Sequence, residues 1–289
     1  MRAASILEEK LGRPRDAIAS LTSAVEARPG DGAALRRLEA LFRSEAMYDD
    51  LLDNLREQAS LAETDTLRAD LRAAMGAIHA DQLSAPGEAL EHYRAALALV
   101  ALHDGAIRAL VQIAEAHPDH RLDAAQALLG VLRASERHED RVRVLELKAT
   151  AESEGEGRAE TLCELAEVLD VKLERLTDAE DALRRALSDA PGDATIHDRV
   201  VAVAHRQTDP KESCPRHADT RKALADAALE PEVAEALFLR LGRLAEEHLE
   251  DAESDEEAFL AALDRGLGGE REPSTLVAPG DVYEDVMSS

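Results

Sequence analysis

Tryptophan is absent from this chain, and aromatic residues make up only 2% of its 289 positions. That excludes a large aromatic core, and it excludes the stacked rings on which single-stranded nucleic acid is held. Basic residues are also in short supply. There are 34 Lys and Arg against 60 Asp and Glu, a formal net charge of -26. An excess of this sign opposes nucleic acid and anionic membrane, where Lys and Arg supply the affinity. It favours solubility and suits a basic or apolar partner. Cysteine occurs twice, at Cys163 and Cys214, far apart in sequence. Reduced thiols in a cytoplasmic protein are expected rather than a disulfide. No apolar run is long enough to span a bilayer, and the first ten residues carry no apolar secretion core. A Gly-x-Ser-x-Gly elbow and a glycine-rich phosphate loop are both missing.

Alanine and leucine dominate instead. Both are strong helix formers, and small alanines let helices approach closely. They recur at fixed steps. Leu173, Ala179, Leu183, Ala186 and Leu187 form the clearest copy. Leu11, Ala17, Leu21, Ala24 and Val25 repeat it, as do Leu83, Ala89, Tyr93, Ala96 and Leu97. A fourth copy runs through Leu249, Phe259, Ala262 and Leu263, with Asp255 in place of the first alanine. Two copies close on Pro-Gly-Asp, at Pro29–Asp31 and Pro191–Asp193.

Taken in order, the pattern predicts helices over 2–11, 14–27, 33–43, 48–61 and 65–83, the last with Leu67, Leu71, Met75 and Ile78 inward. Pro14 opens the second, and Asp31 caps the third. Helices over 88–100 and 104–116 follow. His117–His120 reads as a turn before a helix over 121–134, with Leu122, Ala125, Leu128, Leu129 and Leu132 inward. Helices over 138–152, 158–174 and 194–206 complete the middle of the chain. Residues 208–216 read as an irregular loop, followed by helices over 217–229 and 231–249. An acidic, flexible tail is expected over 267–289. The first helix looks short beside its counterpart near Asp65, which favours a chain cut from a longer array over an atypical cap.

These residues resemble the tetratricopeptide (TPR) family, whose unit is two antiparallel helices over about 34 residues, with small residues at the crossing and Pro at the end. Ala17, Ala24 and Pro29 match its second-helix pattern; so do Ala179, Ala186 and Pro191. Ala89 and Ala96 match, with Ala101 in place of the proline, and Leu241-Gly242 resembles the first helix's Leu-Gly pair. The steps depart from a strict 34: Ala17 to Ala89 is 72, Ala89 to Ala179 is 90, and Ala179 to Asp255 is 76. Degenerate units, and one extra helix in the middle step, are expected to fill them. The resemblance covers roughly residues 1–266. It implies an all-α fold, a right-handed α-solenoid of about six to seven stacked antiparallel helix pairs.

The resemblance also implies a non-enzymatic protein-interaction scaffold that binds a partner peptide or domain on the concave face lined by first helices. Registering three of those helices gives one outward column of Arg36, Arg108 and Asp198, directly after an inward residue in the first two. Four residues on come Ala40, Gln112 and Ala202, and seven on come Arg43, Glu115 and His205. Arg36, Arg43, Arg108, Gln112, Asp198 and His205 are therefore the candidate partner-binding residues. The competing reading is that the arginines pair with neighbouring carboxylates on solvated helices. The family's clamp for heat-shock chaperone termini uses asparagines from two first helices; the single asparagine here, Asn54, falls on a second helix, so that clamp cannot be assembled. A structural segment of a longer array, with no ligand of its own, is the alternative function. Metal binding at His117/His120 or Cys214/His217 is a remote one, because a zinc site wants three or four protein ligands and each pair offers two. No cofactor is expected. A larger assembly is compatible with the pattern.

Overall fold

The computed structural model describes residues 13–206. The expected helices at 2–11, 217–229 and 231–249, the loop at 208–216, the fourth repeat copy and the tail lie outside the described residues, as do Cys214 and His217. The described chain is all-α and divides into two compact units between Glu152 and Ser153. The first contains α1 (Pro14–Ala27), α2 (Gly32–Ser44), α3 (Tyr48–Leu61), α4 (Asp65–Asp81), α5 (Pro86–Leu99), α6 (Asp104–Ala116), α7 (Pro118–Leu132) and α8 (His138–Ala151). The second contains α9 (Glu156–Glu167), α10 (Leu176–Asp189) and α11 (Ala194–Arg206). Short turns join the helices, and within each unit every helix packs on the next. This is the succession of helix pairs expected from the repeats.

Helix starts follow the capping chemistry of their sequences. Asp31 Oδ1 accepts from the backbone N–H groups of Ala33 and Ala34 at 3.1 and 3.2 Å. Asp193 does the same for Thr195 and Ile196, at 2.8 and 3.3 Å. Between them in register stands His103, whose Nδ1 accepts from Ala106 N–H at 3.0 Å. That geometry puts the ring proton on Nε2, which donates to Asp70 Oδ1 at 2.9 Å. Three other helices begin on an arginine that reaches forward to an aspartate in the first turn. Arg13 pairs with Asp16, Arg137 with Asp140 at 2.5 Å and Arg175 with Asp178 at 2.6 Å. Helix α7 begins earlier than the sequence suggested. His117-Pro118 is not a free turn: Pro118 occupies the first helical turn, where its missing N–H costs nothing.

Helix ends are equally specific. At α2, Met47 N–H donates to Phe42 C=O at 2.9 Å and Ala46 N–H to Arg43 C=O at 3.3 Å, with Ala46 at φ 54. This is the Schellman arrangement, closed here without glycine. Helices α4 and α9 close alike, 90 residues apart. Leu83 N–H reaches Ile78 C=O and Ala85 N–H reaches His79 C=O; Leu173 and Arg175 reach Val168 and Leu169 in the same way. Ser84 and Glu174 adopt φ 52 and φ 55 at this point. Residues Val168–Lys172 form a π-helical turn, so the expected continuous α-helix to residue 174 ends at Glu167.

Most small residues of the repeat lie at the crossings, although Ala24 is only half-buried. Ala17, Ala89, Ala96, Ala179 and Ala186 are fully buried, and so are Leu21, Leu183 and Leu187. In the first unit one core cluster runs from Ala17 through Leu38, Leu51 and Leu55 to Met75 and Ile78. Each fully buried Leu contributes about 1.5–3 kcal/mol relative to an exposed one. Tyr93 lies in the same face of α5 as Ala89 and Ala96, and burial pushes its phenol up to about 12, with Asp81 adding to the shift. Some expected apolar positions differ, among them Leu83 of the second repeat copy, which is exposed. Leu67, in the first turn of α4, is 47% exposed, because a helix end has fewer neighbours than its middle. Leu122 is only half-buried, and Ala124 with Ala125 takes the inward side of α7 instead.

Candidate functional site

The six candidate residues stand as follows. Arg36 is exposed, directly after the buried Leu35, and its guanidinium lies back over Gly32. Arg108 is exposed, directly after the buried Ile107, and its Nε donates to Asp104 C=O at 3.4 Å. Gln112 is exposed one turn further along α6. Asp198 is exposed after His197, which is fully buried and donates from Nε2 to Pro191 C=O at 2.9 Å. Arg43 is exposed and donates to Glu39 at 3.1 Å, the i,i+4 pairing of a solvated helix. The side chain of His205 lies outside what the structure describes. Among the described residues, no carboxylate lies within ion-pair distance of Arg36 or Arg108.

Two helices of the first unit each carry an exposed stripe at these positions. On α2 it comprises Ala33, Arg36, Ala40 and Arg43; on α6 it comprises Gly105, Arg108, Gln112 and Glu115. It exists because the opposite faces, Ala34, Leu35, Leu38, Leu41 and Ala106, Ile107, Leu110, Ile113, are buried. Glu115 is not free to balance the arginines of its own stripe. Arg143 of α8 donates to it from Nε at 3.0 Å.

A second basic site was not legible as one. Arg56, Ala59 and Ser60 of α3, Arg68 and Arg72 of α4, and Leu99 of α5 line a cleft of about 230 Å³. Arg56 pairs with Asp53 and Arg68 with Asp65, each on its own helix. Arg68 Nε also donates to Ala62 C=O at 3.2 Å. Arg72 is half-buried. Beside it, the rings of His79 and His92 stack with centroids 5.1 Å apart. Burial lowers the His92 pKa, and the positive fields of His79, Arg72 and Arg56 lower it further. The sequence carried half of the signal, since Arg68 and Arg72 are spaced i,i+4 and share a face. Their meeting with Arg56 and Leu99 is a product of packing.

The remaining candidates are placed singly. His117 is exposed, His120 is half-buried one turn on, and among the described residues no third ligand-type side chain joins them. Burial pushes the Cys163 thiol up, and Arg199, whose NH2 donates to the Cys163 carbonyl at 3.1 Å, partly opposes it. Asn54 lies on α3, as expected for a second helix, and is buried, accepting from Gln58 at 2.8 Å. In the second unit, Arg158 of α9 holds the 1% exposed carboxylate of Asp189 with two bonds, at 2.6 and 2.5 Å. Its role is to tie the start of α9 to the end of α10.

The described residues thus form an all-α succession of helix pairs with small residues buried where the helices meet. No family model matches the chain, and no curated protein matches it. Among solved structures it is similar to the TPR2AB-domain:pHSP90 complex of yeast Sti1, with 15% identity over 88% of this chain and 94% of that one, at a TM-score of 0.32. It is similar also to the C-terminal part of a TPR repeat-containing protein from Cytophaga hutchinsonii, with 13% identity over 95% and 96% of the two chains and a TM-score of 0.29. A third likeness is to BtubC from P. vanneervenii, with 14% identity over 94% and 96% and a TM-score of 0.26.

Proposed function

We propose that the chain is a non-catalytic interaction scaffold that captures a protein segment along the outward faces of α2 and α6. The observation that carries this reading is the paired exposure of Arg36 and Arg108 at one register position, each behind a buried aliphatic residue. Two cations held at matching positions, in a chain of net charge -26, suit a segment bearing acidic side chains or a C-terminal carboxylate. The Ala40 and Gln112 positions one turn on leave room for the segment's backbone beside them. Asp198 is exposed at the matching register position of α11, within the second unit. The competing solvated-charge reading holds at Arg43, which already has Glu39.

The test is affinity capture from the native host with the wild type and with Arg36→Glu plus Arg108→Glu. Loss of a specific partner from the double variant, with its helicity retained, is the expected result. Unchanged capture would place the binding surface elsewhere. A chain that captures nothing stoichiometric in either form would favour the second reading, a segment of a longer array without its own ligand.

A further inference from the structure

The cleft at Arg56, Arg68 and Arg72 concentrates positive charge inside a strongly acidic protein. Three arginines line it, and no Asp or Glu does. Two of these arginines have partners, but weak ones. Asp53 and Asp65 are 77% and 62% exposed and bind at i,i+3 on the same helix. Exposed pairs of this kind are worth about 0.2–1 kcal/mol and exchange readily for a better anion. Arg72 has no carboxylate within ion-pair distance among the described residues. The field is felt nearby, since Arg72 and Arg56 both disfavour the charged form of His92. Ser60 donates its hydroxyl to Glu57 C=O at 2.8 Å and so leaves anion binding to the arginines. Ala59 and Leu99 give the cleft an apolar side.

Size and charge then select the ligand. A polyanion such as nucleic acid is opposed by the chain's net charge of -26, and exposed charges act over about 8 Å at physiological salt. A single small anion within the cleft meets mainly the local arginines. A carboxylate brings one charge and two oxygens, which one guanidinium satisfies. A phosphoryl group brings a charge near two and three acceptor oxygens, which engage two or three guanidinium forks.

We propose that this cleft is a site for a phosphate monoester, its oxygens held by Arg72, Arg56 and Arg68 and its carbon stem lying against Leu99 and Ala59. The site is separate from the α2 and α6 stripe, so its test is independent of the partner reading. Nitrogen-15 NMR of arginine side chains in the full chain would be followed during addition of inorganic phosphate, a phosphoserine heptapeptide, and the same peptide with glutamate at that position. Saturable shifts at Arg56, Arg68 and Arg72 are expected with phosphate and with the phosphopeptide. Arg72→Gln should weaken binding about tenfold or more, as loss of a charge-assisted bond requires. Arg94→Gln, which alters an arginine paired with Glu91 and Asp123, should change nothing. If Arg72→Gln fails to fold, Arg56→Gln plus Arg68→Gln gives the same reading from more exposed positions. A phosphopeptide that binds more tightly than phosphate assigns the group to a side chain; equal affinities assign it to a free monoester, and both support the site. No saturable shift, equal binding by the Arg72→Gln protein, or glutamate peptide binding as tight as the phosphopeptide would overturn it.

Discussion

Gly76 of α4 faces Tyr93 of α5 so closely that an ideal Cβ on the glycine would lie 2.8 Å from Tyr93 Cε1. The phenol ring fills the space that a side chain on α4 would need, and Tyr93 is only 4% exposed. The two helices can approach here because position 76 carries no Cβ. Gly76→Ala should therefore destabilise the protein despite the better helix propensity of alanine. Overpacking costs about 1–3 kcal/mol and the propensity gain returns about 1. Gly130 of α7 is the control, with nothing within 4 Å of its ideal Cβ. Gly130→Ala should stabilise by about 0.5 kcal/mol. Urea unfolding of the two variants checks both signs; equal shifts in one direction would refute the close contact.

Ser84 and Glu174 occupy the left-handed region at equivalent points of two repeats. A side chain there costs roughly 1–2 kcal/mol, part of which glycine gives back through its larger unfolded-state entropy. Ser84→Gly and Glu174→Gly should each raise stability by about 0.5 kcal/mol. A fall in melting temperature for both would contradict the conformation assigned to these turns. The sequence has Gly12 at the corresponding place in the first repeat copy, 72 residues before Ser84.

That glycine shows how far the sequence could be read. The helix pairs, the buried alanine crossings and the Asp31 cap follow from spacing and residue type, because each is set by near neighbours in the chain. His103 as the cap in the Asp31 and Asp193 column did not, since histidine rarely takes that role and its geometry depends on Asp70, a helix away. The close approach of Gly76 to Tyr93 did not follow either, since the two residues stand on different helices. Leu67 was misplaced because periodicity says which face a residue occupies, not whether a neighbour is present at that level. The arginine cleft depends on two turns bringing α3, α4 and α5 together, and no spacing along one helix reports that.

His92 should make stability depend on pH. Its pKa is lowered in the folded state, by burial first and then by His79, Arg72 and Arg56, with Glu91 opposing. The folded protein thus resists binding a proton that the unfolded chain accepts at its ordinary value near 6.5. The stability contributed is fully present above about 6.5 and is lost as pH falls from there through the lowered folded value. His92→Gln should remove that part of the slope. Falling pH also relieves acidic repulsion, so the difference between wild type and variant is the quantity to measure, by urea unfolding at neutral and mildly acidic pH. Parallel curves across that interval would count against a perturbed His92.

The central claim is that α2 and α6 present the partner-binding face. Hydrogen–deuterium exchange of the full chain, alone and saturated with the partner recovered by affinity capture, tests it most directly. The account predicts slowed exchange in residues 32–44 and 104–116, absent when Arg36→Glu plus Arg108→Glu is mixed with the same partner. Protection confined to other helices, or protection of 32–44 and 104–116 that survives the double substitution, would contradict it.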